Sequence, residues 1–204
     1  MKFRELAVAG AYAFTPDVHA DDRGTFCSPI QVDAITQALG HPLFPVIQGS
    51  VSRSRRGVAR GVHYTALPGS MAKFVHCAGG LALDFVIDIR VGSPTFGVSE
   101  SVVLDPDEIT ALYLPVGVGH LFIALEDDTV MSYLLSADYE PAKEHALHPL
   151  DLELALELPD DVVPQLSERD RLAPTLAQAR AAGTLPDYAD CITAELALTT
   201  ARRS

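Results

Sequence analysis

The chain has 204 residues, 48% of them hydrophobic, with a formal net charge of −12. That length can bury the core of a single domain, and the apolar share argues against disorder. The acidic balance excludes general nucleic-acid binding, because a phosphate backbone would be repelled, but leaves room for a small anionic ligand at a local basic cluster.

Short apolar runs bounded by Gly, Pro, Asp and Ser dominate up to about residue 140. Ala7–Phe14 and Phe26–Pro29 read as early strands around the turn Asp21-Asp22-Arg23-Gly24. Val32–Leu39 has helical spacing and stops at Gly40, a residue suited to a C-terminal cap. The expected strands then come quickly: Val46–Ser52, Val58–Tyr64, Ala72–Cys77, Leu81–Arg90, Glu100–Leu104, Ala111–Leu114, His120–Ala124 and Thr129–Leu135. Many short strands at regular intervals predict an all-β sandwich or barrel rather than a parallel sheet. Beyond the acidic stretch from Pro159 to Pro164, Leu172–Ala182 predicts a helix, with Pro174 near its start and Gly183 past its end. Residues 1–188 read as one domain and 189–204 as a C-terminal tail, in which Glu195–Arg202 is either a frayed helix or disordered.

Cys27, Cys77 and Cys191 are odd in number and lack CxxC spacing, which fits a reducing compartment. Met1-Lys2-Phe3-Arg4-Glu5 lacks the apolar run of a secretory leader, and no stretch approaches the roughly 20 apolar residues of a membrane span. A soluble, cytoplasmic protein without a membrane partner is expected.

One hairpin is predicted in detail. Gly79-Gly80 is a two-residue turn signal that sets Cys77 opposite Ala82, Val75 opposite Asp84 and Lys73 opposite Val86. Alternation puts Lys73, Val75 and Cys77 on one face with Ala82, Asp84, Val86 and Asp88. Phe74, His76, Leu83, Phe85, Ile87 and Ile89 form the other, packing face. The charged face is either solvent or the lining of a wet barrel interior.

The densest chemistry lies in Arg60-Gly61-Val62-His63-Tyr64, followed at strand spacing by Lys73. Imidazole takes a proton near neutral pH, and a cation steadies the negative charge left behind, as proton abstraction beside a carbonyl requires. The commoner role of such residues is a hydrogen-bonded core histidine and a strand-edge lysine. Pro115-Val116-Gly117-Val118-Gly119-His120 is a turn entering a strand, and with Gly61-Val62-His63 it resembles the paired motifs of cupin jelly rolls. Metal-binding cupins carry His-x-His and then Glu, whereas here Thr65 and Lys73 occupy those places. An ammonium cannot ligate a cation, so no metal site is expected. The run Ser52-Arg53-Ser54-Arg55-Arg56-Gly57 is either a solvated loop or an aid to Arg23 and Arg60 in holding phosphate. Tyr133 reads as a core aromatic and Asp170 as a helix-entry acid, and spacing alone brings neither to His63.

In order, these segments resemble the dTDP-4-dehydrorhamnose 3,5-epimerase family. The matching pieces are Asp22-Arg23-Gly24, Gly57-Val58-Ala59-Arg60-Gly61-Val62-His63-Tyr64, Ala72-Lys73-Phe74-Val75 and Asp88-Ile89-Arg90-Val91-Gly92-Ser93-Pro94-Thr95-Phe96-Gly97. Pro115–His120, Tyr133 with Tyr139, Leu166-Ser167-Glu168-Arg169-Asp170 and Ala173-Pro174-Thr175-Leu176 complete the series. The resemblance implies a cofactor-free cupin-type jelly roll with short peripheral and C-terminal helices, usually a homodimer with strands exchanged, acting on a dTDP-4-keto-6-deoxyhexose. It implies that His63 abstracts the proton beside the ketone, oriented by Asp170, and that Tyr133 returns a proton from the opposite face. Lys73 would stabilise the enolate with His120 nearby. Arg23 and Arg60 would hold the diphosphate, and Gln48 would contact the nucleotide sugar. The chain departs from the family at Ser28 (often Glu), Ser50 (Asn), Thr65 (Gln) and Met71 (Gln). These changes resemble epimerases of antibiotic deoxysugar pathways, many of which invert only carbon 5. Ser50 and Met71 are expected among the substrate contacts, Met71 suiting a sugar that lacks a hydroxyl.

Overall fold

The computed structural model describes residues 1–200. Its strands are β1 (Lys2–Glu5), β2 (Tyr12–Thr15), β3 (His19–Asp21), β4 (Gly24–Phe26), β5 (Gln48–Ser54), β6 (Ala59–Thr65), β7 (Lys73–Gly79), β8 (Ala82–Ile87), β9 (Ser99–Leu104), β10 (Ala111–Leu114), β11 (Gly119–Ala124), β12 (Thr129–Leu135) and β13 (Glu144–Ala146). The helices are α1 (Val32–Leu39), α2 (Glu168–Arg171), α3 (Leu176–Ala181) and α4 (Tyr188–Thr200). A six-stranded sheet in the order β1-β2-β10-β7-β12-β5 faces a five-stranded sheet in the order β13-β6-β11-β8-β9. This is the all-β sandwich that the strand spacing predicts, in the jelly-roll form that the resemblance implies. Helix α1 has the expected bounds, closed by Gly40 at φ 75°, whose N–H donates to Thr36 O.

The predicted Gly79-Gly80 hairpin does not form. β7 pairs with β10 and β12, while β8 pairs with β9 and β11 in the other sheet. Gly80, at φ 73°, sends the chain across the sandwich instead of back along it. A Cβ there would lie 2.7 Å from Thr129 Cα, so the glycine serves a close approach rather than a hairpin turn. A local turn signal is worth little against the burial gained when each strand completes its own sheet.

The face assignment survives this correction, because alternation depends on the strand and not on its partner. Val75 and Cys77 meet Ala82, Val86, Phe122 and Met131 in a core between the two sheets. Phe85, Ile87 and Ile89 cover the outer face of the five-stranded sheet against Leu147, Leu154 and Leu176. Phe74 covers the outer face of the six-stranded sheet with Ile35, Phe44 and Cys191. The single packing face expected for β7 and β8 is thus two faces on opposite sides of the molecule.

Asp88 turns the Gly-Ser-Pro-Thr segment into a buried clamp. It accepts from Arg90 Nη2 at 2.8 Å and from the Ser93 and Thr95 hydroxyls at 2.6 Å each. Arg90 also donates to Ala9 O, which ties β1's connection to the barrel.

Helix α3 is shorter than expected, since Thr175 and Gln178 form a capping box that starts it at Leu176. Residues 189–200, set apart as a tail on sequence, lie within α4. Cys191, Ala194 and Leu198 of α4 pack on the core, and Glu195 accepts from the Val116 N–H and the Tyr113 hydroxyl. The rest of the tail, 201–204, lies outside the described residues. Among the described residues no helix is long and apolar enough to cross a membrane.

Candidate active site

One end of the barrel opens into a cavity of about 560 Å³. Its walls come from both sheets, and a closing segment comes from 165–170. β6 supplies Arg60 and His63, β11 supplies His120 and Phe122, β7 supplies Lys73, β12 supplies Tyr133 and Leu135, and β5 supplies Ser50 and Ser52. Met71, Glu144, Tyr139, Arg169 and Asp170 complete the lining that the chemistry concerns.

Arg60 and His63 are three residues apart, so simple alternation would put them on opposite faces. A bulge resolves this: His63 pairs with His120 and Arg60 with Phe122, so β6 runs one residue long between them. Gly61 sits in that bulge at φ 135°, where a Cβ would lie 2.3 Å from His120 O. Only glycine fits, which is the physical content of the Arg-Gly-x-His spacing.

Asp170 reaches His63 from α2. Ser167 caps this one-turn helix by accepting the Asp170 N–H at 3.1 Å, and parallel contact of Gln165 with Val58 holds the preceding chain on β6. Asp170 Oδ1 lies 2.7 Å from His63 Nε2, and Asp170 is 2% exposed. Burial pushes its carboxyl up, but the hydrogen bond and charge of His63, with Ser167 and Arg169, outweigh this and hold it below the ordinary carboxylate range. An ionised carboxylate only accepts, so Nε2 carries the proton and Nδ1 is the free, basic nitrogen of His63.

Burial pushes the Tyr133 hydroxyl well above the usual phenol value, with Asp84 adding to the effect and Ser52 opposing it. Tyr133 is therefore a proton donor at neutral pH. Burial lowers Lys73 from the ordinary lysine value, opposed by the nearby charges of Glu144 and Asp84. The ring of His120 meets Tyr133 edge-on at 6.2 Å, and its Nε2 lies 2.7 Å from Asp84 Oδ2.

The fold thus gathers His63, Asp170, Tyr133, Lys73, His120, Arg60, Ser50 and Met71 around one space. Gln48 stands behind this wall: its Nε2 donates to Ser50 Oγ at 2.9 Å and its Oε1 accepts the Tyr139 N–H at 2.8 Å. Arg23 is not in the cavity. It is exposed on the β3–β4 hairpin, bonded to Asp21, and Ser28 lies exposed beyond the same hairpin. In the basic run, Arg53 pairs with Asp128 and Arg56 with Asp161, so these two serve surface ion pairs. Thr65 is engaged by Glu144 Oε1 at 2.7 Å.

Glu144, Arg169 and the role of Asp84 were not foreseen. Glu144 sits on a three-residue strand too short to show periodicity. Asp84 did carry a signal, as the lone acid within Leu83-Asp84-Phe85-Val86. Among the described residues no group of three or more His, Cys, Asp or Glu could hold a metal ion, each cavity histidine being tied to its own carboxylate.

A family model for dTDP-4-dehydrorhamnose 3,5-epimerase matches residues 5–178. The chain belongs to the dTDP-4-dehydrorhamnose 3,5-epimerase family. It is accordingly an isomerase. A dTDP-4-dehydro-6-deoxyglucose 3-epimerase from Streptomyces bikiniensis is 46% identical over 183 residues, covering 90% of this chain and 93% of the relative. A dTDP-4-dehydrorhamnose 3,5-epimerase from Mycolicibacterium smegmatis is also 46% identical, covering 94% of both. Among solved structures, a double mutant of ChmJ, a 3'-monoepimerase from Streptomyces bikiniensis in complex with dTDP, superposes with a TM-score of 0.91 at 42% identity, covering 97% of this chain and 99% of that one. NovW, a 4-keto-6-deoxy sugar epimerase from the novobiocin cluster of Streptomyces spheroides, gives a TM-score of 0.89 at 46% identity, covering 94% and 95%. In this chain the bulged Arg60–His63 strand and the Ser167-capped segment that carries Asp170 shape the cavity.

Proposed function

We propose that this chain is a cofactor-independent epimerase of a dTDP-4-keto-6-deoxyhexose in deoxysugar biosynthesis, inverting carbon 5. One observation carries the reading. His63, backed by ionised Asp170, belongs to the five-stranded sheet, and Tyr133, kept protonated by burial, belongs to the six-stranded sheet that faces it. Inversion needs a base on one side of the carbon and an acid on the other, and one group cannot do both. His63 Nδ1 takes the proton, and Asp170 stabilises the imidazolium. Lys73 neutralises the enolate oxygen as charge develops, with His120 beside it. Tyr133 then delivers a proton to the opposite face. Arg60, whose Nε donates to Ser54 Oγ at 3.2 Å, faces the cavity with its charge available to a diphosphate.

Inversion at carbon 3, alone or with carbon 5, is the second reading. It is favoured by relatives whose names specify a 3-epimerase. Incubation with dTDP-4-keto-6-deoxyglucose in deuterated water, followed by NMR, separates the cases. Deuterium at carbon 5 alone supports the first reading and deuterium at carbon 3 the second, while no incorporation would sink both.

The functional unit we propose is a cytoplasmic homodimer in which the β3–β4 hairpin crosses to the neighbour's cavity. All six of its strand residues are exposed, it joins neither large sheet, and Phe26 is 70% exposed. An exposed pair of strands is a poor structure alone and a ready partner for another chain. Mixing inactive Arg23→Ala and His63→Asn subunits should restore activity through one intact composite site. No recovery, or an active monomer by light scattering, overturns the exchange.

A further inference from the structure

Resting on the epimerase reading, we propose that Asp84 is a positioning residue of the reaction: it locks His120 through Nε2 and provides a fixed negative charge near the Lys73 ammonium. Asp84 is 0% exposed on β8 and projects into a core of Val75, Ala82, Val86 and Phe122. A carboxylate in such surroundings is costly unless its oxygens are satisfied. Here only Oδ2 is bonded, to His120 Nε2 at 2.7 Å, and the buried Oδ1 has no hydrogen-bond partner among the described residues. A carboxylate kept only to join two strands has no use for an unsatisfied oxygen.

What stands around Asp84 gives that charge a use. The charge of Asp84 acts on Lys73 of β7 and on Tyr133 of β12, although Asp84 itself does not line the cavity. His120 is 5% exposed and lines the cavity next to His63. Because a carboxylate only accepts, the bond fixes the proton of His120 on Nε2 and leaves Nδ1 as its free nitrogen. Asp84 therefore stands outside the cavity lining and acts through His120 and Lys73, which are part of it.

Glu144 of β13, Asp84 of β8 and Arg169 of α2 act on Lys73, and Asp170 of α2, Arg60 and His63 of β6, His120 of β11 and Tyr133 of β12 share its cavity. Asp84 favours the ammonium, so removing its charge lets Lys73 lose its proton at lower pH. It also raises Tyr133, so that hydroxyl moves in the same direction.

The test is Asp84→Asn, which keeps shape and removes charge. Solvent deuterium exchange into dTDP-4-keto-6-deoxyglucose should show kcat lowered at least about tenfold, with KM within about twofold of wild type. The alkaline limb of the kcat profile should move to lower pH. A folded variant with wild-type kcat and an unmoved limb overturns the proposal, and so does a raised KM at unchanged kcat. Nitrogen NMR of ring-labelled histidine in the wild-type protein supplies a reading that needs no variant. His120 should show a hydrogen-bonded proton on Nε2, and an Nδ1–H tautomer would overturn the proposal. Wild-type protein that exchanges no deuterium would instead refute the epimerase reading, and this inference with it.

Discussion

His63 and His120 lie opposite each other on neighbouring strands, and each binds a carboxylate through Nε2 at 2.7 Å, yet the two pairs are built differently. The His63 side chain is 28% exposed, and its partner comes from a one-turn helix that is 107 residues away in sequence. The His120 side chain is 6% exposed, and its partner is part of the adjacent strand. The first pair has an open face toward the cavity and a carboxylate ionised by its neighbours, which is what a group that gains and loses a proton needs. In the second, His120 reaches the cavity but its carboxylate is fully buried behind it, where a charge cannot relax and so acts as a fixed field. The same two residue types serve as shuttle or as frame according to what surrounds them.

The largest break in this comparison is His63→Asn. It should abolish deuterium exchange at every carbon, because the base that starts the reaction is gone; wild-type exchange in this variant would refute the assignment. Tyr133→Phe comes next. Proton abstraction should persist, read as deuterium wash-in, while the inverted product disappears from the NMR spectrum.

Asp170→Asn should slow exchange by about 10²-fold, since the imidazolium loses its counter-charge while the Ser167 cap keeps the chain in place. The same variant sharpens the comparison through stability. The Asp170 carboxyl is lowered in the fold, so its contribution is present above the unfolded value near about 3.9 and is lost as pH falls through the folded value. Wild-type protein should therefore lose more stability than Asp170→Asn between about pH 6 and about pH 3, by denaturant melts. A parallel loss in both would detach Asp170 from any stabilising pair.

The smallest expected effect belongs to Met71→Gln, at a position that lines the cavity without belonging to either pair. It should change which dTDP-sugar is accepted, measured as a ratio of kcat/KM values for substrates with and without a hydroxyl at carbon 2. An equal loss of exchange with every sugar would mean that the position supports chemistry rather than selection.

Much of this architecture is legible in residues 32–135. Helix α1 follows from the apolar spacing of Val32–Leu39 and from Gly40, and β10 and β12 coincide with the expected runs. Local rules suffice there because burial, cap and strand propensity agree. They fail at Gly79-Gly80, where the favoured hairpin loses to pairing across the sandwich. They fail again at α3 and α4, whose bounds depend on a capping box and on packing against β10 and the barrel. The site divides the same way. His63, Lys73 and the bulge glycine stand together in sequence, whereas Glu144 and Arg169 sit in short elements that only the closed barrel turns toward the cavity.

The sequence by itself determined an acidic, β-rich domain, the face on which each residue of β7 and β8 lies, and the identity of the groups able to move a proton. Side-chain alternation and residue chemistry are local properties and need no partner strand. Only the tertiary structure decided which carboxylate meets which histidine, that His63 and Tyr133 flank one space from facing sheets, and that the Arg23 hairpin stands away from its own chain's cavity. Those outcomes depend on strand order and on a bulge whose register is set across the sheet, where residues far apart in the chain become neighbours.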